Sequence, residues 1–271
     1  MTAVRPLRLE PRRGWLRTQK PELRSWARSR GETVASGTLR MGAGAASAGH
    51  RATRAREVAQ ELFLAAMRAL CQALEAKDPY TWGHSMRVSA LGAAMAAELG
   101  LCRGERADIR LGGELHDVGK IGVPDDLLHK EGPLTPDEYR RVMQHPLIGE
   151  RILAPLIHHR PTVLHIVRSH HERMDGRGLP DGLAGEDIPL AARIIAVADA
   201  FDAMTSHRSY RSSLPVSAAI LELEINAGIQ FDAECVGALE RVLPGLRWRS
   251  GETVQHLLPA AWESVDAGSV H

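Results

Sequence analysis

Apolar residues begin to recur at helical spacing near Arg56. Val58, Leu62, Ala65 or Ala66, Ala69 and Ala73 step every three or four positions as far as Lys77, and Pro79 then ends the run. This predicts a long first helix. The same period predicts helices from about Gly83 to Leu99, Glu105 to His116, Thr135 to Met143, Pro146 to Leu153, Pro161 to His171, Pro189 to Ser206, Pro215 to Ala227 and Asp232 to Leu243. Proline opens several of these at the first-turn position, where its missing N–H is harmless, and Thr135 with Glu138 offers a capping box around Pro136. No segment reads as a strand, and no repeat of fixed period recurs. The expected fold is all-α. Residues 244–271 read as a C-terminal tail, with room for one short helix from His256 to Trp262.

Composition adds a boundary. The whole chain carries +1, but residues 1–56 hold twelve Arg and one Lys against three Glu, a net of +10, so the remainder carries −9. That first stretch mixes Arg with Gly, Ala and Ser, includes the run MGAGAASAG from Met41 to Gly49, and has too little apolar periodicity to repay the cost of ordering. Residues 1–55 are therefore expected to be a disordered, solvated tail or leader. A nucleic-acid or acidic-lipid tether and a transit peptide are the alternatives. No receiver or sensory domain is legible before Arg56. With 271 residues and 44% hydrophobic content, residues 56–243 can form one large domain with a real core. Cys71, Cys102 and Cys235 are scattered, which suggests neither a disulfide framework nor a thiolate zinc site and fits a reducing cytoplasm. No apolar stretch approaches eighteen residues, so no membrane span is expected.

The candidate chemistry lies in histidines and acids spread over more than a hundred positions: His84, the adjacent His116 and Asp117, His145, the adjacent His170 and His171, and Asp199. Mixed imidazole and carboxylate donors suit two octahedral ions such as Fe or Mn better than a structural zinc. An imidazole can hold one ion while a neighbouring carboxylate, with two oxygens, reaches a second. Such a pair points to phosphoester hydrolysis. Asp199 lies in IIAVADAFDAM, where a carboxylate among Ile194, Ile195, Val197 and Phe201 would be costly unless it met a cation. Each residue also has a plainer reading. His116 could complement a helix C-terminus, Asp199 could face solvent, and His158, His159 and His165 make the choice among nearby histidines ambiguous on spacing alone.

Six ordered blocks resemble a known family. They are GHS at Gly83 to Ser85, HDVGK at His116 to Lys120, KIGVPDDLL from Lys120 to Leu128, QHPLIGERIL from Gln144 to Leu153, HHERMDGRGLPDGL from His170 to Leu183, and ARIIAVADAFDAMTS from Ala192 to Ser206. In order and spacing they look like the HD-GYP family, a branch of the HD superfamily of metal-dependent phosphohydrolases, over about Ala73 to Leu239. The resemblance implies an HD-type helical bundle around a binuclear or trinuclear iron or manganese centre in a bacterial protein. It also implies hydrolysis of cyclic di-GMP to linear pGpG or GMP. By position, the family's metal ligands fall on His84, His116, Asp117, His145, His170, His171 and Asp199. Asp117 would bridge the ions, with a hydroxide between them as nucleophile. Lys120 matches a lysine near the scissile phosphate. Arg208, Tyr210 and Arg211 match positions that hold the ligand, and Asp202, one turn beyond Asp199, would join them or orient a ligand or the loop.

Four departures shape the expectation. Members with a third metal carry Glu four residues before the first histidine, where this chain has Tyr80, so two ions are expected. Two ions favour stopping at the linear dinucleotide. The signature tripeptide reads Gly178-Leu179-Pro180, which bears on loop contacts or a signalling-protein partner more than on metal binding. The usual Asp-Arg-Pro-Tyr-Arg block reads His207-Arg208-Ser209-Tyr210-Arg211, and Glu114 sits where the family has a small or apolar residue. Glu114 is read as an exposed helix residue in preference to an extra carboxylate near the site, since residues i and i+2 point to different sides. These departures keep two other readings open: hydrolysis of another cyclic dinucleotide or a nucleotide, and a weakly active regulatory module. The first helix could pair with its twin in a homodimer or pack within its own domain.

Overall fold

The computed structural model describes residues 53–54, 58, 61–63, 65–67, 69–74, 77, 81–206, 213–246 and 248. Where described, residues between 53 and 77 are helical and form α1. There follow α2 (Thr81–Glu98), α3 (Arg103–Leu115), a 3-10 turn (Val118–Gly122), α4 (Asp125–Leu128), α5 (Pro136–Val142), α6 (His145–Ile157) and α7 (Pro161–Ser169). A second 3-10 turn (Gly185–Asp187) leads to α8 (Leu190–Thr205), α9 (Val216–Ile225) and α10 (Ala233–Leu246). Among the described residues there is no strand, only two isolated bridges, Asp175 with Ala184 and Ala227 with Phe231. The fold is an all-α bundle, as the periodicity predicts. No described helix is long and apolar enough to cross a membrane.

Local signals account for the boundaries. Thr135 Oγ1 accepts from the Glu138 N–H at 3.3 Å and the Glu138 carboxylate accepts from the Thr135 N–H at 2.7 Å, the predicted capping box. Glu105 closes the start of α3 in the same way, accepting from the Cys102 N–H at 2.9 Å. Three features depart from expectation. Pro155 does not stop α6, which continues to Ile157 because Leu153 and Ile157 are buried on its inner face. The 3-10 turn and α4 fill a stretch left without an element. At the C-terminal end α10 runs to Leu246, and Trp248 stacks on Phe201 with ring centroids 5.3 Å apart and donates to Thr205 Oγ1 at 3.2 Å. The predicted helix from His256 to Trp262 and the segment 1–52 lie outside the described residues.

Two apolar clusters hold the bundle. One is formed by α2, α8, α9 and α10 around Leu91, Met95, Ile194, Ile195, Phe201, Leu223 and Leu239. The other joins Phe63, Met67 and Leu70 of α1 to Leu115, Val118, Leu153, Ile157, Val163 and Val167. Apart from Ala66, the face of α1 that packs is therefore not the stripe that set its period. Val58 and Leu62 are 46% and 66% exposed, and the bulkier Phe63, Met67 and Leu74 take the core, because they remove more apolar surface from water than the Ala positions do.

One close approach decides where the first 3-10 turn sits. A Cβ on Gly119 would lie 1.8 Å from the His145 carbonyl oxygen and 2.5 Å from the Gly149 nitrogen, so the turn after Asp117 packs backbone to backbone on the start of α6. Gly119→Ala is expected to destabilise the chain by about 3 kcal/mol or more, since backbone on both sides cannot move aside. Gly237→Ala, whose Cβ would meet only the flexible end of Arg241 within α10, should be neutral or stabilising by roughly 0.5–1 kcal/mol. Denaturant unfolding of the two variants checks both.

Candidate metal centre

Helix ends converge on one point. His84 lies in the first turn of α2, and His116 directly follows α3. Asp117 precedes the first 3-10 turn, and His145 opens α6. His170 and His171 follow α7, and Asp199 lies on α8. The donor atoms fall into two groups, each with its atoms within 4.8 Å of one another: Asp117, His145, His170 and His171 in one, and His84, His116 and Asp199 in the other. The structure thus brings together all seven residues singled out from the sequence, and His158, His159 and His165 belong to neither group.

The imidazoles are held from behind. His116 Nδ1 donates to the Gly113 carbonyl at 2.8 Å, His145 Nδ1 to Val142 at 2.9 Å, and His170 Nδ1 to Val167 at 3.0 Å. Each acceptor lies in the last turn of a helix, where carbonyls have no partner within the helix. A carbonyl can only accept, so each Nδ1 donates and each Nε2 is turned to the interior. His84 is anchored differently, through Nδ1 to Asp202 Oδ2 at 2.7 Å. Such second partners are what metal-ligating histidines have. On the inner side, His116 Nε2 is a buried polar atom without a hydrogen-bond partner, which a cation would satisfy.

Asp117 stands between the groups. Its Oδ1 lies 3.2 Å from His145 Nε2 and 4.0 Å from His170 Nε2, and its Oδ2 lies 3.4 Å from His116 Nε2 and 2.7 Å from Lys120 Nζ. In the other group His84 Nε2 is 3.1 Å from Asp199 Oδ1. The donor chemistry, imidazole and carboxylate without thiolate, fits divalent cations.

Electrostatics distinguish the groups. Burial alone would raise Asp117, but Lys120 and His116 outweigh it and hold the carboxyl well below its usual range. Burial would likewise raise Asp199, and His84 overrides it. His84 itself is pushed up to about 9, because Asp199 and Asp202 outweigh a burial effect that favours the neutral ring. Burial, with the neighbouring histidines adding to it, lowers His170 well below the usual range and His171 to about 4.

Residues around the centre show what the sequence reading missed. Asp202, grouped there with substrate contacts, is fully buried and bonded to His84, Arg87 and Ser206, so it orients a donor instead of facing a ligand. Arg87, one turn after His84, was not singled out. Nor was Glu172, a buried carboxylate that accepts from the backbone N–H groups of Asp181, Gly182 and Leu183 at 2.7, 3.2 and 3.1 Å. Glu172 clasps the loop that carries Gly178-Leu179-Pro180. Gly178 has no room for a Cβ, which would sit 2.4 Å from the Glu172 Cα, and the Leu179 N–H donates to the His171 carbonyl at 3.2 Å. The loop therefore buttresses His171 through its backbone. Glu114 is half-buried instead of exposed, 3.5 Å from Arg110 Nε and from Ser89 Oγ, and belongs to neither donor group. Tyr80, Arg208, Tyr210 and Arg211 lie outside the described residues.

A family model described as HD domain matches residues 68–235, more than half of the chain. Over 173 residues the chain is 43% identical to the cyclic di-GMP phosphodiesterase response regulator RpfG of Xanthomonas campestris, a match covering 64% of this chain and 46% of that protein. Bd1817, described as an HDG"Y"P protein from Bdellovibrio bacteriovorus, superposes with a TM-score of 0.52 at 26% identity, covering 61% of this chain and 53% of that one. The chain belongs to the HD-GYP family. This HD-GYP chain is also 39% identical over 170 residues to the 3'3'-cGAMP-specific phosphodiesterase 3 of Vibrio cholerae, covering 63% of its own length and 37% of that protein. It spans less than half the length of these curated relatives.

Two outcomes are expected. At pH 7.5 His84 is protonated in the metal-free protein, below its value of about 9, whereas His170 and His171 are already neutral. Cation binding at the His84 group should release about one proton and strengthen as pH rises toward 9; binding at the other group should release none from His170 or His171. Calorimetric Mn(II) titration in buffers of different protonation heat reads this directly. Asp202→Asn should weaken the cation at the His84 group by roughly 10–100-fold and leave the other within about twofold, as measured by metal content after dialysis.

Proposed function

We propose that the chain is a metal-dependent phosphodiesterase that hydrolyses cyclic di-GMP to linear pGpG, and on to GMP if a second step follows. One observation carries this reading: seven donors form two adjoining groups, and Asp117 turns one oxygen toward each. In this reading His84, His116, Asp117, His145, His170, His171 and Asp199 hold two divalent ions, iron or manganese, with Asp117 shared between them. Bound there, the ions would supply an activated water and neutralise phosphoryl charge.

The chain's own residues do the rest. Lys120 Nζ stands 2.7 Å from Asp117 Oδ2 with its side chain 23% exposed, so its ammonium is held beside the centre. There it opposes negative charge on a phosphoryl oxygen or donates a proton to the departing ribose oxygen. Arg208, Tyr210 and Arg211 are assigned to the nucleotide's phosphates and bases by family position. A relative named for 3'3'-cGAMP matches nearly as well as one named for cyclic di-GMP, so a mixed-base cyclic dinucleotide is the second reading. The exposed stripe of Val58 and Leu62 on α1 is the surface a second copy would cover, and the clasped Gly178 loop is the one a signalling partner would meet. Cytoplasmic placement agrees with the described helices, none of which suits a membrane span.

The test is anaerobic turnover of the full chain loaded with Fe(II) or Mn(II), supplied with cyclic di-GMP and 3'3'-cGAMP in parallel and followed by chromatography. Linear dinucleotide or GMP should form, and Asp117→Ala should lower the rate by roughly 10²-fold or more. Product from 3'3'-cGAMP alone would select the second reading. No product from either substrate with two ions bound would overturn the hydrolase.

A further inference from the structure

Among the four imidazoles of the donor groups with an Nδ1 anchor, three lean on main-chain carbonyls fixed by their helices. His84 leans on a side chain, the Asp202 carboxylate. A carboxylate can turn about its terminal torsion, which is broad, so an anchor of this kind directs a ring only if it is itself held. Arg87 holds it. Its Nε donates to Asp202 Oδ1 at 2.5 Å and its Nη2 to Asp202 Oδ2 at 2.9 Å, a fork across both oxygens that fixes the carboxylate plane. The same Nη2 donates to Ser206 Oγ at 2.9 Å, and Ser206 Oγ lies 3.2 Å from Asp202 Oδ2. The network is largely buried: the Arg87 side chain is 13% exposed and that of Asp202 is 1% exposed.

We propose that Arg87 is a positioning residue of the metal centre: by fixing the plane of Asp202 it aims His84 Nε2 and sets the affinity of the cation held by His84, His116 and Asp199. The inference rests on the two-cation reading above. Arg87 touches neither group of donors and acts only through Asp202. Lysine cannot replace it, because a single ammonium cannot span both carboxylate oxygens in plane. Arg87 and His84 share one face of α2 three residues apart, and Asp202 and Ser206 share one face of α8 four residues apart, so the network also joins the two helices. A merely structural role would end there.

The experiment uses the full chain with Arg87→Lys, Arg87→Gln and Ser206→Ala, and reads Mn(II) binding by calorimetry and metal content beside the melting temperature of the metal-free protein. His84→Ala identifies the cation of the His84 group by removing it. Arg87→Lys and Arg87→Gln should weaken that cation by roughly 10–100-fold while the other stays within about twofold. Ser206→Ala, which leaves the fork intact, should change it by less than about threefold. If Arg87→Gln does not fold, Arg87→Lys and Ser206→Ala still decide. Wild-type affinity for both cations in a folded Arg87→Lys would overturn the proposal. Equal weakening of both, in step with a lower melting temperature, would show a structural tie and overturn it too. A wild-type chain that binds fewer than two Mn(II) would instead overturn the two-cation reading beneath it.

Discussion

The centre depends on one constraint, the need to satisfy carbonyls at helix C-termini. An α-helix leaves its last four carbonyls without partners, and here α3, α5 and α7 each give one of them to a histidine Nδ1–H. That single bond does two things. It satisfies the helix end, and it fixes the ring's direction so that the Nε2 atoms point to a common interior. The fold and the donor set are therefore one arrangement, since a shift of any of these helices by a fraction of a turn would swing a ring out of the centre. The backbone contact of Gly119 with His145 and Gly149 adds the remaining coordinate, seating the turn that bears Asp117 on the start of α6.

Charge is arranged on the same principle. Three carboxylates, the buried Asp117 and Asp202 and the half-buried Asp199, stay ionised because Lys120, His84 and Arg87 face them. In the metal-free protein a proton on His84 balances Asp199 and Asp202, whereas His170 and His171 stay neutral beside Asp117. In the proposed two-cation reading, one group would trade the His84 proton for a cation, and the other has His170 and His171 already neutral. The network behind His84 and the clasp of Glu172 behind His171 extend the ordering outward, to side chains that belong to neither donor group.

Much of this was legible in the sequence, and the reasons differ by element. The 3.6-residue period gave helix existence because burial drives it, but on α1 it followed the small Ala positions instead of the bulky residues that take the core. Spacing alone did not separate His170 and His171 from His158, His159 and His165; six ordered blocks did. The anchoring bonds of His116, His145 and His170 are local, each to a carbonyl three residues back, and could have been read from their places at helix ends. Arg87, Asp202 and Glu172 were harder. Arg87 and Asp202 meet across 115 positions of chain, and Glu172 serves a loop nine to eleven residues on, so neither partnership has a signature before the chain is folded. Glu114 was misjudged as exposed because its partner Ser89 lies on another helix.

The most direct test of the account is anomalous diffraction from crystals of the chain grown with Mn(II). Two metal peaks are expected, one contacted by Asp117, His145, His170 and His171 and one by His84, His116 and Asp199, with the Asp117 carboxylate between them. A single peak, or two peaks that leave Asp117 outside both coordination spheres, would contradict it.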